Sequence, residues 1–433
     1  MKKSVLAIIL CGVIAAGALA GCGGSNPGST PVDVSSTEVS STGTSDKVLT
    51  IEFFQQKGEE GPQKGYQQII DNFNKEYPNI KIEMNTVPDP VKVLTSRIAS
   101  NDIPPIFTDF PTQMQFKKKV ENGFVLKLTG NDFLNKVNPS ALEMSKANDG
   151  NNYALPYSNN FYGIYYNIDI FKANNIEIPK TYSELIDVCK ALKEKGIAPL
   201  GISTKDPGQV GHMFQGMNIA WMTDGFETIG KVIKKEALIK DSNAYKSFAE
   251  KMSELYSYGN DDALGIANNA MWENFANGKY AMALAGSYAR GTLMIANPNI
   301  HMGIFPIPND TAETTNILTG IDSAICVSNA ATDEEKDAGL KFLEFLTRTE
   351  QAQIFCDNDG APSCITEVKY KDDGVQPVID MIKSGHVHDW ASSTLDTNVV
   401  TDIYNVTQGF LMNKDVTQYL SDLDKSIEVS SAQ

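Results

Sequence analysis

The chain has 433 residues, of which 37 are basic and 53 acidic, for a net charge of −16. So acidic a protein argues against nucleic acid as a partner and against an electrostatic hold on anionic lipid, and it disfavours a polyanionic ligand. The length allows two domains, and the apolar and charged fractions are those of an ordinary soluble protein.

The chain opens on a short basic head, Met1-Lys2-Lys3, and an apolar run over residues 5–19. That run is too short, and its flanks are wrong, for a stable membrane span. It ends in Leu19-Ala20-Gly21-Cys22, small residues that fit a peptidase groove and a thiol that can be acylated. The arrangement resembles a bacterial lipoprotein signal, which implies removal of residues 1–21 and a lipid-modified Cys22 as the new N-terminus. More than one acyl chain is then implied, because a single chain holds a protein only reversibly. Cleavage also removes Lys2 and Lys3 and takes the net charge to −18. Residues 22–46 are nearly all Gly, Ser, Thr, Pro and Val, with no periodic apolar face. They are expected to form a solvated tether spanning roughly 25–30 Å.

Lys47-Val-Leu-Thr-Ile-Glu-Phe-Phe54 alternates and reads as a strand. Tyr66, Ile69, Ile70, Phe73 and Tyr77 recur at helical spacing, Pro78 stops that helix, and Ile80, Ile82 and Met84 form a second strand. Strand–helix–strand predicts a parallel sheet. A helix is expected over 91–100 and a short strand within 103–110. Thr181-Tyr-Ser-Glu184 and Thr332-Asp-Glu-Glu335 have capping-box spacing and start two further helices, the first stopped by Gly196. Between them, 280–285, 303–308 and 325–328 are strand-like, and the chain from Val375 onward is mostly helical by periodicity. The fold class is α/β, in more than one lobe, with no internal repeat.

After Cys22 the cysteines are Cys189, Cys326, Cys356 and Cys364. Cys356 and Cys364 are close enough in sequence to leave a disulfide open; the others read as small buried hydrophobes. His386 and His388 lack a third ligand and read as a solvated turn. Asp357-Asn-Asp-Gly360 fails the calcium-loop pattern, with Phe355 and Thr366 at its two ends. No phosphate-loop, zinc-protease or nucleophile-elbow motif is present, so neither a cofactor nor a metal ion is expected, and no catalytic residue is singled out.

Several segments together resemble the extracellular solute-binding proteins of sugar ABC importers, the group that includes maltose-binding protein. Residues 154–167, with Leu155-Pro156 and Tyr166-Asn167, look like that family's first crossing between lobes. Asn274-Phe-Ala-Asn-Gly-Lys279 leading to Gly286-Ser-Tyr288 is similar to its helix, turn and Gly-x-Trp strand end, with Tyr288 in place of the usual Trp. Gly320-Ile-Asp-Ser-Ala-Ile-Cys-Val-Ser328 looks like the return crossing, and 341–346 like the helix after it. The resemblance implies a two-lobed, type II periplasmic-binding-protein-like fold with an interlobe cleft and hinge crossings. Lobe one would take 47–157 and 324–371, and lobe two 158–323 and 372–433. It also implies a monomer, anchored at the outer face of the cell membrane or in the periplasm, that serves a membrane permease and closes on its ligand by hinge bending.

A sugar presents apolar C–H faces and a rim of hydroxyls, so its site needs flat aromatic rings and planar polar groups. Trp390, in the polar stretch His386-Val-His-Asp-Trp390, and Tyr288 are the aromatic candidates, while Trp221 reads equally as cleft or core. Trp272, with Phe275 at i+3 on a helix, reads as core. Polar candidates sit after strands: Gln55 and Gln56 after the first, Asp109 after the third, Tyr157 and Asn160 at the crossing. The leading function is capture of a carbohydrate without turnover. The rivals are a lipid-anchored glycan hydrolase acting through two carboxylates and a sensor that presents ligand to a receptor.

Overall fold

The computed structural model describes residues 48–432 except Thr223, Lys371, Asp372 and Gly385. The leader, Cys22 and the tether lie outside the described residues. Among the described residues no helix is long and apolar enough to cross a membrane.

The strands in chain order are β1 (Leu49–Phe54), β2 (Ile80–Asn85), β3 (Ile106–Asp109), β4 (Leu155–Asn167), β5 (Leu200–Gly201), β6 (Met282–Gly286), β7 (Met302–Phe305), β8 (Ile317–Val327) and β9 (Val387–His388). They hydrogen-bond in the order β2-β1-β3-β8-β4-β6-β5, with β7 also on β4 and β9 also on β8. As the strand–helix–strand pattern predicts, β1 runs parallel to β2 and to β3. The helix Glu60–Glu76 crosses between β1 and β2 and buries Tyr66, Ile69, Ile70 and Phe73, its apolar face. Both expected capping boxes form: Thr181 with Glu184, and Thr332 with Glu335. The Asp357–Gly360 run is the last helical turn of Thr349–Asp359, closed by Gly360 at φ 76°. A side chain there would be strained, which is why glycine ends this helix.

Two strands carry the chain between lobes. The first half of β4 pairs antiparallel with β8, from Leu155 opposite Ile325 to Phe161 opposite Thr319, and β8 in turn pairs with β3. The second half of β4, from Tyr162, pairs instead with β6 and β7. The cores follow the same division. One cluster gathers Phe53, Tyr66, Phe107, Leu155, Tyr157, Ile325, Phe342 and Phe355. Two others gather Ile164, Phe214, Trp221, Phe248 and Ile403, and Phe161, Tyr165, Trp272 and Phe275. Each is built from inward-facing residues at helical or strand spacing, so the hydrophobic effect acts in separate bodies joined by β4 and β8.

The lobes also touch on two sides of the space between them. On one side Asp396 accepts from Gln115 Nε2 at 3.1 Å and Lys118 Nζ at 3.3 Å. On the other, Gly61 and Gly291 approach the same carbonyl, and a methyl group on either would fall 2.3 Å from Asn358 O. Only residues without a side chain allow that approach.

Cys356 and Cys364 are separate buried thiols, not a disulfide, and burial pushes the Cys356 thiol up to about 12.

Candidate functional site

The space between the lobes holds a cavity of about 310 Å³. The first lobe contributes the loop after β1 (Gln56, Lys57, Gly58, Glu59) and the loop after β3 (Phe110, Thr112, Gln113). The crossing strands contribute Asn160 from β4 and Asp322 from β8. The second lobe contributes His212 and Gln215 from the helix Pro207–Trp221, Tyr288 after β6, Trp390 after β9, and Tyr404 from the helix Thr397–Asn413. Most of these lie just past strand ends, where α/β sheets leave a crevice for ligands. A larger hollow of about 640 Å³ between Val232–Asp241 and Ser421–Ser431 has no aromatic ring in its lining.

Of the residues singled out from the sequence, Gln56, Asn160, Tyr288 and Trp390 line this cavity. Gln55, Asp109, Tyr157 and Trp221 do not. Gln55 is buried on the opposite side of the strand end from Gln56 and ties the loop, donating to Lys57 O at 2.8 Å and accepting from Lys57 N at 2.7 Å. Asp109 accepts from Lys119 Nζ at 2.6 Å and from Phe110 N at 2.9 Å, so its carboxylate holds its own turn. Tyr157 belongs to the first-lobe core, stacked near Tyr66 and donating to Leu346 O at 3.1 Å. Trp221 packs edge-on against Tyr182 and donates from Nε1 to Pro308 O at 3.0 Å, a core position. Trp272 is also in the core, as its helical spacing predicts.

The aromatic wall is a connected cluster. Trp390 is half-buried, and its Nε1 donates to Asn160 Oδ1 at 2.8 Å. The His212 ring meets the Trp390 ring edge-on at 5.0 Å between centroids, and His212 Nδ1 shares a hydrogen bond with the Tyr288 hydroxyl at 2.8 Å. Gln215 donates to the Tyr404 hydroxyl and accepts from Ala391 N at 2.7 Å, which fixes the turn that carries Trp390. Sequence reasoning missed His212, Gln215 and Tyr404. The available signal was a helix whose other positions are almost all apolar or Gly, in which His212 and Gln215 are polar interruptions.

The electrostatic centre is Lys57. Its ammonium pairs with Asp322 Oδ2 and lies 3.5 Å from Asp359 Oδ1, with all three side chains buried. Burial opposes the charge on Lys57, but the facing carboxylates Asp322 and Asp359 outweigh it and raise its affinity for the proton. Burial pushes the Asp359 carboxyl up to about 7, against the pull of Lys57 and with the push of Asp322 and Glu59. Lys57 Nζ, 3.5 Å from Asp359, is shared with Asp322, which leaves the charged form of Asp359 under-compensated. Burial also lowers His212 to about 4, so the imidazole is neutral at physiological pH and serves as a hydrogen-bonding group. With Lys57 matched by Asp322 and Asp359, the cavity offers rings, planar donors and acceptors and the Glu59 carboxylate, the complement of a polyhydroxylated molecule. No cluster of potential metal ligands occurs among the described residues.

Comparison with known proteins gives the same picture. Residues 57–353 match the family model described as bacterial extracellular solute-binding protein. The multiple sugar-binding protein of Streptococcus mutans is 27% identical over 375 residues, covering 85% of this chain and 87% of that protein. The melibiose/raffinose/stachyose-binding protein MelE of Bacillus subtilis is 23% identical over 364 residues, covering 80% and 84%. Among solved structures, SBP RafE in complex with raffinose superposes with a TM-score of 0.79 at 24% identity, covering 88% of this chain and 100% of that one, which establishes the two-lobed fold.

The Asp359 environment has a consequence for stability. A carboxyl near 7 in the folded protein and about 4 in the unfolded chain keeps its proton longer when folded, so its contribution is full at low pH and is lost as pH rises toward 7. Lys57, Asp322 and Glu59 face it, and Tyr66 and Cys356 sense its charge. As pH rises from 5 to 8 the wild-type protein is expected to lose stability relative to Asp359→Asn. Denaturant melts of both proteins across that range measure it, and a pH-independent difference contradicts it.

Proposed function

The chain belongs to the bacterial extracellular solute-binding protein family, and we propose that it captures a carbohydrate in the cleft between its lobes and delivers it to the membrane subunits of an ABC importer. One observation carries the reading: the interlobe cavity pairs the rings of Trp390 and Tyr288 with the planar polar groups of Gln56 and Asn160. The rings suit C–H faces, and the amides suit hydroxyls that both donate and accept. The names of the relatives, which bind sugars of several kinds, point the same way. A cavity of about 310 Å³ is at the small end of ligand pockets, roughly 300–1,000 Å³, and suits a short sugar. Of the two carboxylates in the cavity lining, Asp322 and Glu59, the first is committed to Lys57 and to Asn160 Nδ2 at 3.1 Å, which leaves no free pair for a two-carboxylate mechanism and favours binding without turnover.

The proposed lobes are 47–157 with 324–371, and 158–323 with 372–433. In support, the first core draws on residues within 51–157 and 321–365, and the other two on 161–307, 317–318 and 375–427. Cys22 is the proposed lipid anchor and 22–46 its tether, which keep a monomeric protein at the outer face of the membrane near its permease. In producing cells Cys22→Ala is expected to move the protein out of the membrane fraction or to retain its leader. An unchanged acylated form in that variant would refute the anchor.

A thermal-shift screen against neutral glycans, followed by calorimetry, tests the ligand class, because a ligand that binds only the folded state raises the melting temperature. Trp390→Ala is expected to weaken binding about a hundredfold, as truncation of a buried aromatic anchor does, with an unchanged circular dichroism spectrum. No reducing ends should be released. Unaltered affinity in a folded variant, or turnover abolished by one Asp or Glu substitution, would overturn the proposal.

A further inference from the structure

Four side chains form one continuous hydrogen-bonded path across the hinge. It begins at Lys57, on the first-lobe loop after β1, which pairs with Asp322 on β8. Asp322 Oδ1 accepts from Asn160 Nδ2 on β4 at 3.1 Å. Asn160 Oδ1 accepts from Nε1 of Trp390, in the second lobe, at 2.8 Å. The polarity of each link is forced. An indole N–H can only donate, so Asn160 must turn its oxygen toward the ring and its NH₂ toward Asp322. Asp322 then accepts on both oxygens, from Asn160 on one and from Lys57 on the other, and the Lys57 ammonium supplies the countercharge that a buried carboxylate needs. Without that countercharge the Asp322 carboxylate has no partner to hold it in place, and the Asn160 amide bonded to it shifts, carrying with it the oxygen that receives the indole N–H. Backbone packing narrows the ring's freedom further. A methyl group on Gly320 would lie 3.0 Å from Trp390 Cδ1, so β8 presents bare backbone to the edge of the ring.

We propose that Lys57 is a positioning residue for the ligand surface: through Asp322 and Asn160 it fixes the plane of the Trp390 indole, and so the plane in which a ligand ring can stack. The orientation of the ring is independent of any ligand, whereas its effect on affinity rests on the carbohydrate reading above. Lys57 acts through its partners, because its charge is already taken by Asp322 and Asp359. The path joins the first lobe, both crossing strands and the second lobe.

The three tryptophans, Trp221, Trp272 and Trp390, give a simple test in ¹⁵N-resolved spectra of the indole N–H groups, with Trp390→Phe assigning the third signal. In Lys57→Met the Trp390 signal is expected to move while that of Trp221, bonded to Pro308 O, stays in place. Affinity for raffinose, used as a neutral probe, should fall about tenfold, the scale of one lost charge-assisted hydrogen bond. Lys57→Arg should restore both signal and affinity, which a merely structural role would not separate so cleanly. Should Lys57→Met fail to fold with Asp322 and Asp359 unpaired, Asp322→Asn, which leaves Lys57 its Asp359 partner, must move the same signal. An unmoved Trp390 signal in either folded variant overturns the positioning role. A wild-type protein that binds no glycan refutes the carbohydrate reading instead, and the spectral result still decides this one.

Discussion

The structure depends on one shared ladder of backbone hydrogen bonds. β4 and β8 pair antiparallel across the junction of the lobes, and each strand changes core partway along its length. Close to that change lie Asn160 and Asp322, polar and buried. Burying them unpaired would cost several kcal/mol. Lys57 and Trp390 meet the need from opposite lobes, so the requirement for satisfied polar groups at the crossing generates the polar half of the cavity. The aromatic half follows from the second-lobe elements docked alongside, His212 and Gln215 on one helix and Tyr404 on another.

A buried ion pair is a poor route to stability, since a well-packed apolar replacement is often as good. Lys57 between Asp322 and Asp359 is therefore better understood by what it orients than by what it stabilises. The same holds for the Gly61–Gly291 approach, which brings the lobes together by removing side chains from both. Asp396, bridging to Gln115 and Lys118, adds polar contacts between the lobes.

Much of the fold was legible in the sequence because local signals and tertiary demands agree. Alternation marked β1 and β2, helical spacing marked the Glu60–Glu76 helix, and Thr–x–x–Glu marked two helix starts. The site was legible only where a residue stood out against its own neighbourhood, as Trp390 does in a polar stretch. Neighbouring positions at the end of β1 show the limit. Gln55 and Gln56 look alike in sequence, but just past the end of β1 the first turns into the loop's own hydrogen bonds and the second to the cavity. Tyr157 precedes the change of core and Asn160 follows it, so one joins the first-lobe aromatics and the other faces the cleft. Lys57, His212, Gln215, Asp322 and Tyr404 gain their roles from partners 100 or more positions away or from other helices, which periodicity does not report.

The central claim is that the interlobe cavity is where a carbohydrate binds. The most direct measurement is a crystal structure of the protein grown with the glycan that raises its melting temperature most. A sugar ring stacked on Trp390 is expected, with its hydroxyls on Gln56, Asp322 or His212 and both lobes in contact with it. A glycan bound at another surface, or a cavity filled only by solvent at saturating glycan, would contradict it.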